Sequence, residues 1–160
     1  MAKKSSGNGS GKSKGHPPEH WKDEPEEHDY PAAAAYLSLI NTASDVKALV
    51  ASLRSSPLER RMAKDILRAA RLALLPPDNP HVASDLAKVK WGMALSPVLL
   101  VRGDARHDNP LTIADGYHRV CASFHLDENA AIPCRMADLV HQRASTSGPS
   151  RSSRGPTAVQ

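Results

Sequence analysis

Aromatic side chains are scarce: one Phe, two Trp and three Tyr among 160 residues, 4% of the chain. Hydrophobic residues still reach 40%, so any core must be aliphatic and alanine-rich. Cysteine is scarcer still. Cys121 and Cys134 lie thirteen residues apart with no CxxC pair, which removes the zinc-site and thioredoxin-like signatures and leaves buried, reduced thiols acting as small apolar side chains. No run of about 18 apolar residues occurs. The chain opens on Lys, Ser and Gly rather than on the apolar stretch of a signal peptide. A soluble, cytoplasmic protein with no membrane partner is expected, and no internal repeat is present.

A concentrated basic region is also missing. The formal charge is +4, but residues 1–29 carry 5 Lys/Arg against 6 Asp/Glu, and residues 30–142 carry 13 against 11. Residues 143–160 carry three arginines and no acid. The body of the chain is therefore nearly balanced, unlike a DNA-binding domain with one basic face.

What is present divides the chain. Residues 1–16, rich in Lys, Ser and Gly, and residues 143–160, rich in Ser, Arg, Gly and Pro, cannot bury a core and are expected to be disordered. Residues 17–29 are proline-rich and acidic and read as a solvated linker whose Trp21 packs on the domain. His20 and His28 among those acids admit weak metal binding. From 30 to 73 the pattern is helical: an alanine-rich helix after Pro31, then one capped by Thr42 or Ser44 with Val46, Leu49, Val50 and Leu53 on one face. A third helix is predicted with Ser56 as N-cap, Pro57 in its first turn and Glu59 closing a capping box. Its basic set, Arg60, Arg61, Lys64, Arg68 and Arg71, either touches phosphates or forms a solvated face.

The second half alternates. Asn79-Pro80 caps a helix running to Gly92, and Val98 to Arg102 reads as a buried strand. Gly103 to Asn109 is a polar turn. Leu111 to Ala114 reads as a strand antiparallel to the first, followed by a helix over 117–126 and a third strand at Ile132 to Met136. Pro133 there suits a strand end or an edge.

At Ile113-Ala114-Asp115-Gly116-Tyr117-His118-Arg119 a strand ends, glycine turns the chain and a helix begins. The first helical turn exposes unpaired N–H groups and the positive end of the dipole, which favours an anion. Gly116 lets a phosphate approach the backbone, and Arg119 can offer a forked pair of donors. The alternative is a capped helix start with Arg119 paired to Asp115. His118 and His125 share a helix face, with His118 at the phosphate end, where it could shuttle a proton. Asp115 could hold Mg²⁺ through water.

The order of elements from about 74 to 138 resembles the ParB/sulfiredoxin family. An approach loop, Leu75 to His81, is followed by a helix ending before Gly92 and a strand at Leu95 to Val101. The family's strand–Gly-x-x-Arg–helix turn then stands at Asp115 to Ala122, with closure at Ile132 to Cys134. The resemblance covers about 65 of the 160 residues. It implies an α+β fold: a small mixed sheet with packed helices over 74–142, preceded by a helical segment over 30–73. It also implies a nucleoside triphosphate, CTP or ATP, with its phosphates at Asp115, Gly116, Tyr117, His118 and Arg119, and with Asp78, Asn79 and His81 lining the same pocket.

The departures from the family are informative. Tyr117 and His118 replace the glutamate and arginine of the chromosome-segregation branch, and His81-Val82-Ala83 replaces the glutamine-proline-arginine after Asn-Pro. Tyr117 also occupies the slot of the sulfiredoxin cysteine, so sulfinic-acid repair is not expected. Three readings remain: nucleotide binding, with slow hydrolysis or phosphoryl transfer through His118 or Asp115; a non-catalytic adaptor binding a protein or DNA through the N-terminal helices and basic tails; and, third, a ParB-like nuclease, which rests on the family resemblance alone. A nuclease would need a carboxylate cluster that no stretch of this sequence supplies.

Overall fold

The computed structural model of the chain describes residues 15–139. The disorder expected for 1–16 and 143–160 lies outside those residues, apart from Gly15 and His16. The described chain is α+β. Its helices are α1 (Asp29–Leu37), α2 (Ala43–Ser55), α3 (Ala63–Ala70), α4 (Pro80–Lys90) and α5 (Tyr117–Leu126). Its strands are β1 (Glu59–Met62), β2 (Val98–Val101), β3 (Thr112–Asp115) and β4 (Ala131–Ala137), joined in one sheet of order β1-β4-β2-β3.

Strand β2 explains the layering. All four of its residues are buried, and successive side chains leave on opposite faces. Val98 and Leu100 join the core under α3, α4 and α5, with Ile66, Val82, Val120 and Ile132. Leu99 and Val101 join a second core under α1 and α2, with Tyr30, Leu37, Leu49 and Leu53. A strand covered on both faces reads as a continuous apolar run, as Val-Leu-Leu-Val does.

The sequence signals for α2, α4, β2, β3 and α5 coincide with the structure. Thr42 Oγ1 accepts the Asp45 N–H at the start of α2, and Asn79 Oδ1 accepts those of His81 and Val82 with Pro80 in the first turn of α4. β2 and β3 are antiparallel as expected.

The third helix start is corrected. Ser56 does not start a helix; it is the C-cap of α2, in extended conformation, and its one hydroxyl proton is shared between the carbonyls of Ser52, one turn back, and of Met136 at 2.9 Å. Pro57 disfavours helix at the residue before it, so the Ser-Pro pair works here as a stop. Glu59–Met62 then pairs with β4 as an edge strand, Glu59 opposite Cys134 and Met62 opposite Ala131, and the helix waits until Ala63. The segment 30–73 is therefore not wholly helical.

Two further readings change. Segment 20–29 is pinned to the fold rather than solvated: Leu95 N–H donates to His20 O at 2.8 Å and Lys22 N–H donates to Leu95 O at 2.8 Å, while Trp21 packs against the main core as expected. β4 is an interior strand, yet Pro133 fits within it. The register with β2 begins only at Cys134, so at Pro133 the strand is paired with β1 alone.

Candidate functional site

The Asp115-Gly116 turn sits where β3 passes into α5. Leu99 faces Asp115 while Leu100 faces Ile113, so Ala114 is one residue extra on β3, and this bulge bends the strand end that carries Asp115. Gly116 has φ +102°, a left-handed conformation that L side chains rarely adopt. A Cβ there would stand 2.6 Å from Val98 Cγ1 and 3.0 Å from Arg119 Nη2. The glycine is thus demanded by packing on β2 and by φ, whatever approaches the helix from outside.

Gly116, His118 and Arg119 line a cleft of about 380 Å³ closed on its other sides by α1 and α4. The α4 contribution is one helical face, His81, Ser84, Asp85 and Lys88, and α1 adds Asp29 and Ala32, preceded by His28. The rings of His81 and His118 lie 4.7 Å apart between centroids, tilted by 38°. Three elements therefore supply three carboxylates, Asp29, Asp85 and Asp115, which no single stretch of sequence holds together.

Each carboxylate has a partner. Lys88 Nζ is 2.8 Å from Asp85 Oδ1. The Arg119 guanidinium, its side chain 12% exposed, is bonded to Asp115 and reaches Asp29 Oδ2 at 3.5 Å. Asp29 is the more deeply buried acid and also accepts from the Ser96 hydroxyl and, at 3.1 Å, from the Glu26 N–H. Burial pushes the Asp115 carboxyl above its ordinary range; Arg119 pulls it down, and the neighbouring Asp29 charge pushes it up. His118 is held below its ordinary value, first by burial and then by His81, against the opposing pull of Asp85 and Asp115.

Of the residues expected to share a pocket, Asp115, Gly116, His118, Arg119 and His81 meet in this cleft. Tyr117 points elsewhere: its hydroxyl donates to the Ala73 carbonyl, and its ring packs on the main core. Asn79 is occupied in capping α4, and exposed Asp78 does not line the cleft. His125 Nε2 donates to Leu75 O at 2.7 Å, so Tyr117 and His125 together hold segment 73–75 against α5. Both thiols are buried. Burial raises the Cys121 thiol and, with Glu59 nearby, pushes that of Cys134 up to about 12.

Sequence reasoning missed Asp29, Asp85 and Lys88. Asp29 was hidden in an acidic run that read as linker, although an acid just before an alanine-rich helix is favoured by the helix dipole. Asp85 and Lys88 were findable, since 81, 84, 85 and 88 recur at the spacing of one helix face. Of the metal ligands considered near the N-terminus, His28 does approach Glu26 and Asp29 within 4.8 Å, and His20 is not part of that group. Among the described residues no helix is long and apolar enough to cross a membrane. Comparison with protein-family models, with curated proteins and with solved structures finds no match to this chain.

Proposed function

We propose that the chain binds the phosphate groups of a nucleoside triphosphate, CTP or ATP, at the start of α5, as its resemblance to the ParB/sulfiredoxin family implies. One observation carries the reading: Gly116, His118 and Arg119, at the start of α5, line an open cleft. The unpaired N–H groups of that turn and the helix dipole favour an anion there, and His81, His118, Lys88 and Arg119 surround it. Arg119 keeps donors beyond the two used on carboxylates, because a guanidinium has five. The cleft volume is that of a small-ligand pocket.

Charge decides what accompanies the phosphates. Asp29, Asp85 and Asp115 outnumber Lys88 and Arg119 among the fixed charges of the cleft, so a polyphosphate enters most easily with a cation. Magnesium suits this, since it takes one or two carboxylates together with phosphate oxygens, and Asp115 is the carboxylate beside the helix start. Any slow hydrolysis or phosphoryl transfer would use His118 as the proton carrier.

A second reading is favoured by a different observation. Arg119 already bridges Asp115 and Asp29, which is a sufficient structural role, and Tyr36, Leu39 and Ile40 expose apolar surface at the end of α1. On that reading the protein is an adaptor or regulator. Calorimetric titration of the full chain with CTP and ATP, with and without Mg²⁺, separates the two. Nucleotide binding predicts saturable heat that weakens about tenfold in Arg119→Lys, because a point charge keeps the buried ion pair but not the forked geometry. No heat up to about millimolar nucleotide, or unchanged affinity in Arg119→Lys, favours the adaptor.

A further inference from the structure

The largest concentration of arginine lies away from α5. Arg61 of β1, Arg68 of α3, Arg71 just after α3, and Arg102 just after β2 line one cleft of about 500 Å³, with Asp65 as its sole acidic lining residue. Its apolar lining includes Ile66, Leu100 and Met136. Residues that read in sequence as one basic helix face are thus split between a strand and a helix, and a fourth arginine from the β2–β3 connection joins them.

Each arginine currently pairs with a carboxylate: Arg61 with Glu59, Arg68 with Asp65, Arg71 with Asp108 and Arg102 with Asp138, at 3.1, 3.0, 2.6 and 2.6 Å. These are surface pairs, which contribute little to stability. An anion accepting forked bonds inside the cleft can therefore displace them at small cost. The wall is preformed. A Cβ on Gly103 would stand 2.5 Å from the Asn109 carbonyl oxygen and 2.6 Å from the Pro110 carbonyl carbon, and Asp104 and Asn109 exchange backbone bonds of 2.8 and 3.0 Å.

Backbone strain falls at the same place. Among the described residues, Arg71 and Asp108 are the non-glycine residues with positive φ, at 55° and 56°, and they are paired with each other beside the cleft. Left-handed conformations in side-chain-bearing residues collect at binding sites, where surrounding structure holds them.

We infer that this cleft binds a small amphipathic anion: an aliphatic or ring body seated on Ile66, Leu100 and Met136, with phosphate, sulfate, sulfonate or carboxylate groups held by the four guanidiniums. It shares neither residues nor element ends with the α5 site, so either can fail alone.

The test is an NMR titration of the full chain with anilinonaphthalene sulfonate, which carries an apolar body and one fixed negative charge. Saturable binding is expected, with amide shifts concentrated at Arg61, Ile66, Gly103 and Leu111. The Arg61→Ala/Arg102→Ala double variant, altered only at exposed side chains, should bind about tenfold more weakly or worse, as should the neutral phenylnaphthylamine with wild type. Arg119→Lys should bind the probe as wild type does. Shifts confined to the exposed Tyr36–Ile40 or Trp91–Met93 surfaces would overturn the assignment. Equal binding of the neutral probe, or unchanged binding by the double variant, would do so too.

Discussion

Arg119 and His118 leave the same turn of α5 and meet opposite fates. Arg119 is fixed between Asp115 and Asp29, whereas burial and then His81 hold the His118 imidazole below its ordinary value. The unfolded chain protonates this histidine near its ordinary value of 6.5 and the folded chain only at lower pH. Its contribution to stability is therefore complete above pH 6.5 and is lost as pH falls through the folded value. Asp115 acts in the opposite sense: its raised folded value favours the fold in acid and ceases to do so as pH rises through it. Melting temperatures measured from about pH 7 to about pH 5 should fall less steeply for His118→Asn than for wild type. Parallel slopes would show that His118 titrates as an exposed side chain.

Elements carried by local chemistry were legible in sequence, and those imposed by a partner were not. Asn79-Pro80 announces α4 because its side chain bonds the helix's own first N–H groups. Asn79→Ala should accordingly cost about 1 kcal/mol, read as a lowered denaturation midpoint at unchanged slope, and an unchanged midpoint would mean that water replaces the cap. Ser56-Pro57 carried an equally good local signal and misled. Glu59-Arg60-Arg61-Met62 has no strand-forming bias of its own and is extended because β4 offers it an edge. The exposed Leu58 and Met62, which fit a helical repeat with Ile66 by spacing, lie ahead of the helix and outside the core. The candidate site follows the same division. Gly116, His118 and Arg119 were readable from one turn, while Asp29 reaches that turn only through the packing of α1 on β3.

Across the whole molecule, the N-terminal part turns out to be integral. It supplies β1 to the sheet, α1 and α2 to one face, and through Asp29 a wall of the α5 cleft. A fragment beginning at 74 would expose β4 and leave Arg119 with Asp115 as its sole ion-pair partner, so binding is properly measured on the full chain. The most direct measurement is amide-resonance mapping by NMR during titration with Mg²⁺-ATP and Mg²⁺-CTP. Phosphate capture at α5 predicts saturable shifts at Gly116, Tyr117, His118 and Arg119, with His81 following across the cleft. Absence of shifts at these amides, or shifts found only around Arg61, Arg71 and Gly103, would contradict it.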